Sequence, residues 1–417
     1  MTIQNITTKA GIRVWLVEER FVPLVAMRFS FEGGSAQDPA DKTGLANFMS
    51  GLFDEGAGDL DSEAYQARME ELAMRMSFDA ARDRFFGSFE SLEENLGDAS
   101  AMLKLAVNRP RFDVDAIERV RRQILSSLAA AARNPDRVVG QRWMADAFAS
   151  HPYGRPTQGT PETIAAITAE DFRVFHQRLF ARDTLRVVVV GSIGALETMA
   201  LVDDVFGDLP AQATLEPVAD AMPQPQEKLV VVDMPVPQSV ARFGAPGILR
   251  KDKDFMPAFV LNHLLGGGGF SSRLMEEVRE KRGLAYSVYS FLQPMERAAI
   301  FMGGVATKNE EMAQSLEVIR GELRRLSADG PSKDELEATK SHLIGAFALR
   351  FDTNSKTADQ LLYFLNENLG ADYVDRRNDE IAAVTLEDVK HVAKRLFDND
   401  DLFVVVVGRP AGLKTGG

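Results

Sequence analysis

Residues 164–191, IAAITAEDFRVFHQRLFARDTLRVVVVG, return as residues 381–408, IAAVTLEDVKHVAKRLFDNDDLFVVVVG, with 16 of 28 positions identical at a constant offset of 217. That period is too long for a solenoid repeat and suits a whole domain made twice. Both copies read alike locally. Thr168 or Thr385 precedes an acidic pair and a helical apolar pattern, as an N-cap does, and four valines ending in glycine then predict a buried strand. The 417-residue length agrees, because single cores stop growing at about 250–300 residues.

Between the copies, residues 209–228 are proline-rich with few large apolar groups, which marks a linker between a domain at 1–208 and another at 229–417. Ile12, Val14 and Leu16 alternate with polar neighbours, as do Val25, Met27, Phe29 and Phe31, so two strands with one buried face are expected near the N-terminus. Helical patterns occupy 62–76, 93–107 and 113–133 in the first half, and 254–265, 309–327 and 333–350 in the second. The predicted fold is α+β: two homologous domains, each a mostly antiparallel sheet covered by helices on one side.

Net charge and composition exclude several function classes. A formal charge of −13 repels phosphate backbones, so nucleic acid is not expected as a partner. No apolar run approaches the length of a membrane span, and the first thirty residues lack a secretory pattern. A cytoplasmic location is expected as the sequence is written, or a periplasmic one if a leader has been trimmed. Without cysteine there are no disulfides, thiolate metal sites or cysteine nucleophiles. The five histidines (151, 176, 263, 342 and 391) never fall within a helical turn of one another, which leaves no local metal clip and points to surface or capping roles. Asp54, Glu55, Asp59, Asp61 and Glu63 miss the EF-hand spacing and read as a solvated loop leading to a helix. No Gly-x-Ser-x-Gly elbow is present.

The stretch GGGGFSSRLMEEVREKRGLAYSV, residues 266–288, has two nucleotide-type readings, and both fail. A dinucleotide fingerprint needs a preceding strand and a third glycine where Ser271 or Ser272 stands, and a P-loop needs Gly-Lys-Ser/Thr. The following helix is well specified: Ser272 as cap, Glu276 and Glu277 early, Arg279, Lys281 and Arg282 late, Gly283 as the stop. Taken alone, Arg279 and Tyr286 read as a helix-surface arginine and a half-buried strand tyrosine.

GGGFSSRL followed by REKRGLAYSVYS resembles the C-terminal-domain signature of the pitrilysin/insulinase family of zinc peptidases, in its short-chain, mitochondrial processing peptidase-like branch. GLANFMSGLFDEG (44–56) and HPYGRPTQGTPETI (151–164) fall where that family has counterparts. The resemblance implies two similar α+β domains forming one hemisphere of a clamshell around a peptide chamber. Active members carry H-x-x-E-H, with two histidines binding zinc and the glutamate activating water. The matching positions here include Asn47, Ser50 and Gly51, and the family's third ligand, a glutamate, falls at about Ser127. Ser127 shares a helical face with Val120 and Ile124 and is expected to point inward. No metal or other cofactor is therefore expected in this chain.

Arg279 and Tyr286 match the arginine and tyrosine with which relatives hydrogen-bond the scissile carbonyl as negative charge develops. Gly266, Gly267, Gly268, Gly269 and Phe270 would then let an extended substrate approach closely. The resemblance thus implies a metal-free subunit of a heteromeric peptidase, with a homologous zinc-bearing partner, peptide substrates and homodimers when the chain is isolated. Two alternatives stand beside it: a structural or peptide-binding core-type subunit without chemistry, and an autonomous peptidase using other ligands.

Overall fold

The computed structural model describes residues 1–398 and 402–414, so positions 399–401 of the second repeat lie outside the described residues. Two compact units form. The first takes residues 1–128, 156–217 and 348–374, and the second takes 129–155, 218–347 and 375 onward. Neither unit is continuous in sequence, which differs from the ranges 1–208 and 229–417 read from the linear chain.

In the first unit the strands are β1 Gln4–Thr7, β2 Arg13–Glu18, β3 Leu24–Glu32, a short pair β4 Gly56–Ala57 and β5 Leu60–Asp61, then β6 Arg75–Ala80, β7 Arg84–Leu92 and β8 Arg186–Gly191. Six of them make a sheet in the order β1-β2-β8-β3-β7-β6, antiparallel throughout except for β2 with β8. The four-valine strand β8 is interior, and its valines are buried on both faces, as an uninterrupted apolar run requires. On one face Phe29, Phe31, Phe53, Phe85 and Phe180 pack edge-on or stacked. Phe29 faces Gly87 across the β3/β7 pair, and a Cβ there would come within 2.0 Å of the ring. The helix expected over 62–76 ends earlier, at Glu71. Leu72, Met74 and Met76 are buried with period two, and that pattern belongs to the entry into β6.

Strands β9 Leu229–Asp233, β10 Gln238–Pro246, β11 Ser287–Pro294, β12 Ala299–Lys308 and β13 Phe403–Gly408 form the second unit's sheet, ordered β11-β12-β10-β13-β9. Here only β13 and β9 run parallel. The two sequence copies fold alike. Helices Ala169–Leu179 and Leu386–Phe397 both begin in a reciprocal capping box, Thr168 with Asp171 and Thr385 with Asp388, and both lead to a four-valine strand. The chain is thus α+β, with two sheet-containing halves covered by helices.

Each sheet is covered on both faces, which corrects the one-sided expectation. In the first unit helix Asn354–Asn366 packs on β3 and β8. The largely buried Arg28 of β3 donates to Asp359 of that helix at 2.6 Å and to Glu90 at 2.7 Å, and Ser30 donates to Asn366 at 2.9 Å. In the second unit helix Pro135–Ala147, capped by Asn134, packs on β10 and β13. Arg242, at the same position in β10 that Arg28 holds in β3, faces Asp136 at 3.4 Å. The fully buried Trp143 stacks near Phe403 and donates its indole N–H to the Phe403 carbonyl at 3.2 Å. Gly244 is what admits it, since a Cβ at that position would lie 2.6 Å from the indole.

His176 departs from the surface or capping role expected of it. Its ring packs against Phe53, Phe112 and Phe180, and Nε2 lies 2.8 Å from the Val107 carbonyl. Burial pushes its pKa down to about 4. Between about pH 6.5 and 4 the unfolded chain binds a proton that the folded chain refuses, so this group's stabilisation is complete above pH 6.5 and is lost on acidification, by about 1.4 kcal/mol per pH unit. Denaturant titrations of wild type and His176→Phe across that range should differ in slope by one proton. Trp143→Ala should cost about 3–5 kcal/mol. Hydrogen exchange should then accelerate in β10 and β13 while β3 and β8 keep their protection.

Candidate functional site

Helix Phe255–Asn262 runs into a widened π turn at His263–Gly267. A 3₁₀ turn at Gly269–Ser271 follows, and a second π turn spans Met275–Glu280. Such bulges concentrate at functional segments. Gly266 is buried against β11, where a Cβ would sit 2.5 Å from Ser290, and Gly269 adopts φ +64°, a left-handed conformation that glycine takes without penalty. Gly267, Gly269 and Phe270 are exposed, Gly268 half-buried. Ser272 is not the cap expected of it. It is buried, and its hydroxyl donates to the Gly269 carbonyl at 2.8 Å instead of accepting from the helix. The C-terminal stop is as expected: Gly283 has φ +62° and its N–H bonds the Arg279 carbonyl, an αL closure, with the Leu284 N–H bonding the Val278 carbonyl besides.

This closure places Arg279 one short turn before Tyr286, which immediately precedes edge strand β11. The guanidinium carbon lies 5.0 Å from the Phe270 ring centre and 5.5 Å from that of Tyr286, so a cation is held against two aromatic faces. Its carboxylate neighbour Glu280 stands at 3.6 Å, too far for a good hydrogen bond. Phe270 and Tyr286 are 74% and 81% exposed, so both rings that flank the guanidinium are open to solvent. Beside the pair opens a cleft of about 460 Å³ whose apolar floor is Leu284, Ala285 and Ala306 and whose rim carries Lys308 and Glu311. Chemically, the arrangement offers an oriented guanidinium and a phenol to an electron-rich oxygen.

Beneath the π turn lies a charge network that sequence reading did not single out. Glu277 is buried and accepts from Lys281 Nζ and Arg282 Nη1, both at 2.6 Å, and these two cations hold its pKa below the usual carboxylate value. Arg273 makes a two-pronged pair with Glu335 at 2.7 and 2.8 Å, which draws the Glu335 pKa down to about 2. Glu322, almost wholly buried beside Arg325, is pushed upward by burial. The four-residue spacing of Glu277 and Lys281 was the available sequence signal.

The positions matched to the zinc motif lie elsewhere, in the first unit. Asn47 and Ser50 sit half-buried on helix Leu45–Ser50, with Ser50 Oγ donating to the Asn47 carbonyl at 2.8 Å, and Gly51 closes the helix. Ser127 is exposed on helix Val114–Ala131, a correction to its inward expectation: Leu128 is the buried residue of that turn. These four side chains provide neither imidazole nor carboxylate, so they do not fit a zinc ion. Among the described residues no three His, Asp or Glu side chains gather closely enough to hold a metal. His151 caps its turn by accepting from the Tyr153 N–H at 3.1 Å. His263 and His342, 79 residues apart in sequence (342 − 263), stack with ring centres 5.1 Å apart. The acidic cluster is divided between tasks: Asp61 caps helix Ser62–Glu71, and Glu55 is held by Arg119 and Ser62.

Known proteins resemble the chain over nearly its whole length. Residues 13–161 match the family model described as insulinase (peptidase family M16), and residues 166–343 match the peptidase M16 inactive domain. The chain is 25% identical over 408 residues to a protein of Helicobacter pylori named non-peptidase homolog YmxG, covering 98% of this chain and 94% of that one. An uncharacterized zinc protease YmxG of Bacillus subtilis is 25% identical over 421 residues, with 98% and 99% covered. The crystal structure of a peptidase M16 inactive domain from Pseudomonas fluorescens superposes with a TM-score of 0.92 at 27% identity, covering 99% of this chain and all of that one. No described helix is long and apolar enough to cross a membrane. With two of its models matching residues 13–161 and 166–343, the chain belongs to the insulinase family, peptidase family M16.

Proposed function

We propose that this chain is the metal-free subunit of a two-chain zinc peptidase and lends Arg279 and Tyr286 to a homologous, zinc-bearing partner. The observation that carries the reading is the pairing of opposites. The zinc-motif positions Asn47, Ser50, Gly51 and Ser127 offer no ligand, whereas Arg279 is held between two exposed rings at the mouth of a cleft. Peptide hydrolysis passes through a tetrahedral oxyanion, and donors oriented beforehand stabilise it without reorganisation. In this reading Gly267, Gly269 and Phe270 border the path of an extended peptide. Gly266 and Gly268 support that border from beneath.

A second reading has one observation in its favour: the Helicobacter relative carries the name of a non-peptidase homolog, and the inactive-domain match fits a subunit kept for binding or scaffolding. What favours the first reading is that Tyr286, 81% exposed, stands beside the Arg279 guanidinium at the cleft.

Isolated chain, pure and metal-analysed, should hold no stoichiometric Zn²⁺ and leave unfolded peptides uncut, whether it runs as monomer or homodimer. Zinc and hydrolysis should appear together on adding the copurifying partner. In that mixture Tyr286→Phe should lower kcat by about 10²-fold, the scale of one lost oxyanion donor, while size-exclusion elution stays unchanged. Undiminished turnover would favour the scaffold. Zinc-dependent cleavage by the chain alone would overturn both readings.

A further inference from the structure

We infer that Glu277 is a positioning residue for Arg279, a buried carboxylate that ties down Lys281 and Arg282 and so orients the π turn with the Arg279 guanidinium toward Phe270 and Tyr286. The inference rests on the proposed role of Arg279 and extends it to a residue that touches no substrate.

Three observations lead there. First, the turn is not an ordinary helix end. The Lys281 N–H bonds the Glu276 carbonyl five residues back, and the widened ring gives up part of the usual helical hydrogen-bond order, so other contacts must define its shape. Second, Glu277 supplies them. It is 7% exposed, and its two oxygens accept from Lys281 and Arg282, one each, while Arg282 also donates to the Glu277 main-chain carbonyl at 2.7 Å. Both cations lie beyond Arg279 in sequence, so the carboxylate bridges across the arginine and closes the segment 277–282 into a loop. Third, residues two apart on a helix face opposite ways. Glu277 pointing inward therefore directs Arg279 outward, to where the rings of Phe270 and Tyr286 stand.

Burying an ion this way is costly unless its hydrogen bonds are filled, and a hydrophobic residue of similar size would serve stability as well or better. What an apolar side chain lacks is direction. Two charge-assisted bonds constrain the rotation of the turn, which matters only if the aim of Arg279 matters. The neighbouring Arg273–Glu335 pair anchors the start of the same segment to helix Lys333–Gly345, so the turn is pinned at both ends.

The test reads Arg279 directly. In full-length protein labelled with ¹⁵N-arginine, the Arg279 Nε–H signal, assigned by its loss in Arg279→Lys, should be displaced by the ring currents of the two aromatic faces. Glu277→Ala should return it toward the position of solvent-exposed arginines. Lys281→Met/Arg282→Met, which leaves the carboxylate in place, should do the same and serves if Glu277→Ala fails to fold. Glu277→Gln, which keeps an acceptor, should retain part of the displacement. Lys356→Ala, which breaks a surface pair with Asp352, should change nothing. Turnover with the zinc-bearing partner should fall between about tenfold and a hundredfold in kcat at constant KM. An Arg279 signal unmoved in both Glu277→Ala and the double variant overturns the inference. A displaced signal without any hydrolysis on mixing retains it and refutes the proposed catalysis instead.

Discussion

Trp143 fills a space that exists because residue 244 has no side chain, and from that contact much of the second unit follows. Strand β13 is apolar and buried on both faces, and β10 beside it is buried along most of its length. Helix Pro135–Ala147 covers the second face, with the buried indole N–H, which would otherwise be an unpaired donor, satisfied by the Phe403 carbonyl of β13. The first unit solves the same problem with helix Asn354–Asn366 and with Arg28, whose guanidinium is buried but bonded to Glu90 and Asp359. An arginine at the same position of each central strand, facing an aspartate on the covering helix, is the duplication expressed in tertiary contacts.

The candidate site sits at the far edge of the second sheet, on the least regular backbone in that unit. Two π turns and a 3₁₀ turn carry the chain from helix Phe255–Asn262 to edge strand β11. Irregular backbone needs compensation. It comes from close packing at Gly266, from the αL closure at Gly283, and from the ion pairs of Glu277 and Glu335. Tyr286 is exposed and Arg279 half-buried in this setting, and the segment around them is anchored from below, where Leu274, Val278 and Leu284 join the core.

Much of this was readable in advance where the cause is local. The N-caps at Thr168 and Thr385, the four-valine strands and the stop at Gly283 depend on neighbours within a few residues and formed as read, whereas the strand read from Val25 to Phe31 formed but is buried on both faces and not on one. Errors came where distant packing overrode a local preference. Met76 joined strand β6 with Met74 buried just before it, Ser127 faced solvent because the helix turns Leu128 inward instead, and His176 was drawn into a phenylalanine cluster. Ser272 sits where an N-cap belongs, but the 3₁₀ turn before it offers the Gly269 carbonyl first.

From its sequence alone the chain declares a duplicated α+β design, the absence of a local zinc motif, and the seven-residue interval between Arg279 and Tyr286. Those are properties of order and spacing, which the linear chain holds outright. Which helix covers the second face of each sheet, that Phe270 closes over Arg279, and that His263 meets His342 were decided only by the tertiary structure. Each joins residues whose separation in the chain carries no periodic signal, and burial of apolar surface, which is indifferent to sequence order, selects among the possible partners.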